Sequence, residues 1–152
     1  MSKRGFYGIG IWHPKREHNV GTLLRTANIF GAAFVFTVGK RYSQQASDTM
    51  KTPRHIPLFH FADIIDLREH LPHACPLVGI ELTDAAELSN QHHHMPQACY
   101  LLGAEDAGLS NEVLALCHTT LRLPGKHSMN VAVAGSLVIY DRWKQMEAKE
   151  KA

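Results

Sequence analysis

Cysteine is scarce and poorly placed for cross-links. Cys75, Cys99 and Cys117 are odd in number and far apart, with no C-x-x-C pair. Neither a disulfide framework nor a zinc ribbon is indicated, and a reducing cytoplasm is the expected setting. No apolar run is long enough to span a bilayer. Lys3 and Arg4 stand near the start, but polar breaks interrupt the region after them, so no signal peptide is expected. Internal repeats and linker-like stretches are missing too, which leaves residues 1–152 as one domain with one core. Acid is nearly absent from the front of the chain. Residues 1–54 hold nine Lys or Arg against Glu17 and Asp48, a net of +7, whereas the remainder holds seven against twelve, a net of −5. Such a basic front half either offers one face to a polyanion or is a solvated surface.

What is present alternates between strand and helix. Gly5–Trp12 predicts a buried first strand ending at His13-Pro14. From Asn19 the residues Val20, Leu23, Leu24, Ala27 and Phe30 keep helical spacing, with Asn19 expected at the N-cap and Gly31 at the C-cap. Arg25 lies off that apolar stripe. A second strand is expected over Ala33–Val38, and strand–helix–strand favours a parallel α/β sheet. Residues 40–55 are polar, basic and weakly periodic, and predict a mobile connection. Beyond them come a short strand over Ile56–Phe59, a helix over Ala62–Leu71 and a buried strand over Leu77–Leu82. The run His92-His93-His94 sits in a polar stretch from Leu88 to Pro96. Adjacent histidines on a regular element cannot all face one metal, so a polar loop is expected there and no metal site. Ala98–Gly103 predicts another strand, and Ser110 a cap for a helix over Asn111–Cys117.

The chain is organised around Leu121–Asp141. Leu121 and Leu123 close an apolar run, and Pro124-Gly125 breaks it. Ser128 is expected to cap the helix after it. That helix is small on one side, through Ala132, Ala134, Gly135 and Ser136, and apolar almost all round through Val131, Val133, Leu137, Val138 and Ile139. Small residues let another backbone come close. Polar Ser128 and Asn130 at its mouth point to a site at the helix N-terminus, or to a capped core helix and nothing more. The charged tail from Trp143 to Ala152 is expected to fray.

Two phosphate-binding motifs are excluded by chemistry. Gly103-x-Glu105-x-x-Gly108 comes after a strand, but Glu105 replaces the second glycine of a dinucleotide fingerprint and sets a carboxylate against a pyrophosphate. S-adenosylmethionine carries a cationic sulfonium and no phosphate, so it tolerates that carboxylate. Gly125-Lys126 is succeeded by His127, where a Walker A loop requires Ser or Thr.

Three blocks stand in order: Asn19…Arg25 with Phe30-Gly31; Leu102-Gly-Ala-Glu-Asp-Ala-Gly-Leu109; and Leu123-Pro124…Ser128-Met-Asn-Val131. With them, nearly the whole chain resembles the SpoU/TrmH family of SPOUT methyltransferases, and among these the small members without an added RNA-binding domain. The resemblance implies a parallel sheet flanked by helices, with a deep C-terminal trefoil knot. It implies a homodimer, with the first and last helices packed across the two-fold. It also implies a donor, S-adenosylmethionine, surrounded by Ile80, Gly103, Leu123, Ser128 and Met129, with S-adenosylhomocysteine as product. The loop Gly125-Lys-His127 is shorter than is usual in the family.

The implied reaction is methyl transfer to a ribose 2′-hydroxyl of RNA, with tRNA favoured over rRNA. Arg25 matches the family's catalytic arginine, and Asn19, Glu105, Ser128 and Asn130 match its other polar positions. As a base, Arg25 would need a neutral guanidine, which a pKa above roughly 12 opposes. Holding a phosphate and stabilising developing alkoxide charge suits it better. Two other readings stay open: a non-catalytic RNA-binding protein on the same fold, and a methyltransferase acting on something other than RNA. On the plainest reading of the individual residues, Asn19 and Ser128 are helix caps only and Glu105 is a structural hydrogen-bond acceptor. No membrane partner and no metal are expected.

Overall fold

The computed structural model describes residues 5–42, 55–81 and 86–152. Most of the polar connection expected over 40–55 lies outside them, as does Leu82. The elements run β1 (Phe6–Trp12), α1 (Glu17–Ile29), β2 (Phe34–Val38), β3 (Leu58–Phe61), α2 (Ile64–Glu69), β4 (Leu77–Ile80), β5 (Glu87–Leu88), β6 (Gln97–Leu102), α3 (Asn111–Ala115), β7 (Thr119–Arg122) and α4 (Val131–Lys151). The strands form one sheet in the order β3-β2-β1-β6-β4-β7-β5. Every pairing is parallel. Helices cover both faces, as buried parallel strands require.

Alternation along the strands divides the core into two layers. Ile9, Ile11, Val35, Tyr100 and Leu102 pack with Leu23 and Leu24 of α1 and Val138 and Ile139 of α4. On the other face Phe34, Phe36, Leu77, Cys99 and Leu101 pack with Leu67 of α2 and Val113 of α3. Glycine opens the contact between α1 and α4. A Cβ on Gly135 would lie 2.6 Å from Leu23 Cδ1 and 2.8 Å from Leu102 Cδ1. Among the described residues, no helix is long and apolar enough to cross a membrane.

The structure moves several boundaries. Asn19 does not cap α1: the N-cap is Arg16, which makes no side-chain cap bond, and Asn19 is the third helical residue, with Glu17 favouring the N-terminal dipole. Ser128 does not cap α4 either. Asn130 does, its Oδ1 accepting from Ala132 N at 2.9 Å and Val133 N at 3.2 Å. Ser110 caps α3 as expected, accepting from Val113 N. The tail does not fray. α4 runs to Lys151 because Arg142 and Met146 are buried one turn apart and continue its apolar stripe.

The histidine run is not an open polar loop. It comes after β5 and a 3₁₀ turn over Ser89–Gln91, and His94 is only 1% exposed. Its Nδ1 lies 2.6 Å from Tyr100 Oη and its Nε2 2.9 Å from Asp141 Oδ2. A carboxylate only accepts, so Nε2–H donates to Asp141 and Nδ1 accepts from the phenol. Arg142 completes the cluster by donating to the carbonyls of Met95 at 2.6 Å and Pro96 at 2.7 Å. Its guanidinium stands 5.0 Å from the centroid of Tyr7. Burial pulls the His94 pKa down to about 4, and burial pushes Tyr100 up to about 12. The ring is therefore neutral and structural.

Candidate active site

The carboxyl ends of β4, β6 and β7 meet the N-terminus of α4 around a cleft of about 250 Å³. In open parallel sheets, ligands bind outside the carboxyl ends of the strands. Ile80 comes from the end of β4, Gly103 and Glu105 from the loop after β6, and Leu123, Ser128 and Met129 from the segment between β7 and α4. All five residues expected around a donor thus line one cavity. His127 lines it as well.

The loop after β6 is closed on itself. Ala104 N donates to Gly108 O at 3.3 Å, and Gly108 N donates to Ala104 O at 2.9 Å. Two glycines make that closure feasible. A Cβ on Gly103 would fall 2.8 Å from the Gly108 backbone, and Gly108 itself has φ +64°. The fingerprint-like spacing therefore serves a tight backbone turn, with no room asked for a phosphate.

A polar chain joins this loop to α1 and α4. Because Asn130 Oδ1 is committed to the cap, its Nδ2 faces Asn19 and donates to Asn19 Oδ1 at 3.1 Å. That orients the Asn19 amide, whose Nδ2 donates to Glu105 Oε1. The other carboxylate oxygen of Glu105 stands 3.8 Å from Arg16 Nε. Asn19 is 3% exposed, so its amide is a fixed relay between the cap and the carboxylate. Lys15 pairs with Asp106, the neighbouring acid of the loop, and that hydrogen bond holds the Asp106 carboxyl below its usual range.

Asn19, Glu105 and Asn130 are thus brought together, and Ser128 lines the same cleft. Arg25 is not brought to it. Arg25 is exposed on α1, about 9 Å along the axis from Asn19 and roughly a third of a turn around. The described residues that line the cleft do not include it.

The described lining residues include the carboxylates of Glu81, Glu105 and Asp106 and no Lys or Arg. Such a cleft repels phosphates and favours a cation. Glu81 does not stand out in the sequence. Its only signal there is an acid inside the apolar stretch expected as a strand over Leu77–Leu82, which the structure ends at Ile80.

A family model described as the SpoU rRNA Methylase family matches residues 8–140. The chain belongs to that family. No curated protein matches the sequence. Solved structures share the fold of this SpoU-family chain at low identity. The A. aeolicus TrmH/SpoU tRNA modifying enzyme superposes with a TM-score of 0.85 at 19% identity, over 95% of this chain and 77% of that one. A protein whose structure concerns the 2-OH methylation of C/U34 on tRNA gives 0.81 at 21%, over 95% and 99%. The AdoMet-bound rRNA methyltransferase from Sinorhizobium meliloti gives 0.81 at 19%, over 95% of this chain but only 60% of its own length.

Proposed function

We propose that the chain is an S-adenosylmethionine-dependent RNA methyltransferase acting on a ribose 2′-hydroxyl, with tRNA favoured over rRNA. The observation that carries this reading is the cleft at the mouth of α4, lined by three carboxylates and no described Lys or Arg. The residues fit the donor. Ile80, Leu102, Leu123 and Met129 offer apolar walls for a base, and the closed glycine turn offers backbone groups. When bound, S-adenosylmethionine supplies an electrophilic methyl group on a sulfonium.

The chain's own residues then position the acceptor. Asn130, Asn19 and Glu105 form a relay whose hydrogen-bond direction is fixed from the helix cap outward. A rigid relay holds the acceptor hydroxyl in line, and positioning of this kind lowers barriers substantially. Ser128 stands at the same mouth as a further hydroxyl. Lys15, Arg16, Lys40 and Arg41 give the near surface a positive charge suited to a phosphate backbone. Arg25 holds the adjacent phosphate and stabilises alkoxide charge in this reading. It reaches a cleft through a homodimer, since it shares a helix face with exposed Ile29, and α4 leaves Val133, Leu137 and Tyr140 exposed at spacings of one turn. A deep trefoil path at the C-terminus belongs to the same reading, and the chemistry calls for no metal.

The test is incubation with labelled S-adenosylmethionine and unmodified tRNA and rRNA pools. The expected product carries label on a 2′-oxygen, which protects the neighbouring phosphodiester from alkali. One observation favours the alternative of a non-catalytic RNA-binding protein: Arg25 stands outside its own chain's cleft. Donor binding without label in any pool would establish that alternative.

A further inference from the structure

Glu81 comes directly after β4, and its backbone stays in the sheet, donating from N to Leu121 O at 2.9 Å. Its side chain lines the cleft. Oε2 accepts from Leu109 N at 2.6 Å. Gly108 lies flat against the carboxylate, so that an added Cβ there would stand 2.1 Å from Oε2. The carboxylate is therefore fixed at the base of the glycine turn. Glu105 occupies the opposite flank of the same turn, facing Asn19 on the helix after β1. In the sheet β6 separates β1 from β4, so the Asn19 side of the turn and the Glu81 side face different neighbours.

We infer that Glu81 binds the ribose hydroxyls of the methyl donor. The inference rests on the donor reading above and assigns one end of the ligand. The transferable methyl group belongs on the Asn19–Glu105 flank, beside the basic turn at Lys15 and Arg16. The base fits the apolar wall that begins at Ile80, the residue next to Glu81. A nucleoside lying that way turns its vicinal diol to the far flank. A carboxylate accepts at about four lone-pair positions, so the bond from Leu109 N fixes the group without exhausting what it can accept from hydroxyl donors. Its fixed position makes the match specific, because a ligand lacking a hydroxyl leaves a desolvated carboxylate without that partner.

The test is a binding cycle by calorimetry on the full chain, using S-adenosylhomocysteine and its 2′-deoxy and 3′-deoxy forms. Glu81→Gln keeps an acceptor for Leu109 N and removes the charge. On the wild type, loss of a hydroxyl is expected to weaken binding by about tenfold. Glu81→Gln is expected to weaken S-adenosylhomocysteine by a similar factor yet bind the deoxy forms as the wild type does. Glu81→Asp, compared in the same way, is expected to recover part of the discrimination, and thermal unfolding checks that each variant is folded. Additive losses would mean that Glu81 only supports the loop, and the inference fails. A Glu81→Gln loss that is the same for all three ligands but vanishes with 5′-methylthioadenosine would place Glu81 on the amino-acid end and also overturn it. Tight binding with an additive cycle removes only this assignment; no binding to the wild type removes the donor reading with it.

Discussion

α4 carries a polar cluster at its N-terminus and another that begins at mid-length and extends toward its C-terminus, and the two are built on opposite principles. At the C-terminal cluster, His94, Tyr100, Asp141 and Arg142 are packed against the sheet, with His94 1% and Arg142 2% exposed. Both His94 ring nitrogens have partners, and the guanidinium is held by two backbone carbonyls. A network whose His94 and Arg142 are buried and partnered in this way specifies one geometry. At the N-terminal end the relay from Asn130 through Asn19 begins equally fixed, but it finishes on Glu105, a carboxylate that lines an open cleft. The packing differs in step. The first half of α4 is small where it meets α1, with Ser136 Oγ donating to Thr26 Oγ1 at 3.1 Å. The second half uses the bulk of Arg142 and Met146. One end of the helix anchors, and the other presents.

Breaking the anchor should have the largest effect. Arg142→Ala removes the guanidinium from the Met95 carbonyl, leaves the Pro96 carbonyl with Phe6 N, and takes away the cation over Tyr7. The expected loss is about 3–5 kcal/mol in urea unfolding, with ligand affinity per folded molecule retained. Affinity falling in parallel would erase the contrast between the two ends. At the presenting end, Gly108→Ala combines a positive φ with a Cβ set 2.1 Å from Glu81 Oε2. About 2 kcal/mol of stability should go, and S-adenosylhomocysteine affinity should drop at least tenfold.

Acid should loosen the anchor. Burial above all, with His92 and Arg142 nearby, lowers the folded-state pKa of His94 from 6.5 to about 4 against the opposing hydrogen bond to Asp141. The unfolded chain therefore binds the proton more readily. The stabilisation is complete above pH 6.5 and is lost as the pH falls toward 4, by about 2 kcal/mol at pH 5. Urea midpoints at pH 7 and pH 5 measure this, and His94→Gln should flatten the difference by that amount.

Much of this architecture is legible in the sequence, and the remainder fails for identifiable reasons. The strand–helix–strand order and the Ser110 cap depend on neighbours in the chain, and the structure agrees with them, while the C-cap of α1 is Phe30 and Gly31, expected there, follows it at positive φ. The cap of α4 is not legible in that way, because Ser128 and Asn130 are both good caps and only the contact with Asn19, over a hundred residues away, selects Asn130. The anchor escapes notice since Arg142 and His94 count as polar wherever they stand, and burial depends on partners from distant elements. Glu81 escapes for a similar reason: its fixed position comes from Leu109 and Gly108, brought beside it by the pairing of β4 with β6. Residues placed around the donor by resemblance do gather on one cleft, whereas Arg25, exposed on α1, is not among the described residues that line it.

The smallest expected change in stability is also the sharpest test of the presenting end. Asn130→Asp keeps an oxygen for Ala132 N and Val133 N, and Asp caps helices as well as Asn does. A negative charge at a helix N-terminus adds a little stabilisation of its own. What the substitution removes is the N–H that reaches Asn19 Oδ1. If the Asn19 amide stays as it is, two oxygens oppose each other; if it turns over, its oxygen faces the Glu105 carboxylate. Either arrangement breaks one link of the relay, at a cost the cap charge partly offsets. The unfolding free energy should therefore stay within about 1 kcal/mol of the wild type. Methyl transfer to RNA should fall by about tenfold or more, as small displacements of a positioning group do. Unchanged transfer would reduce the relay to a second anchor, and the two ends of α4 would then differ in exposure alone.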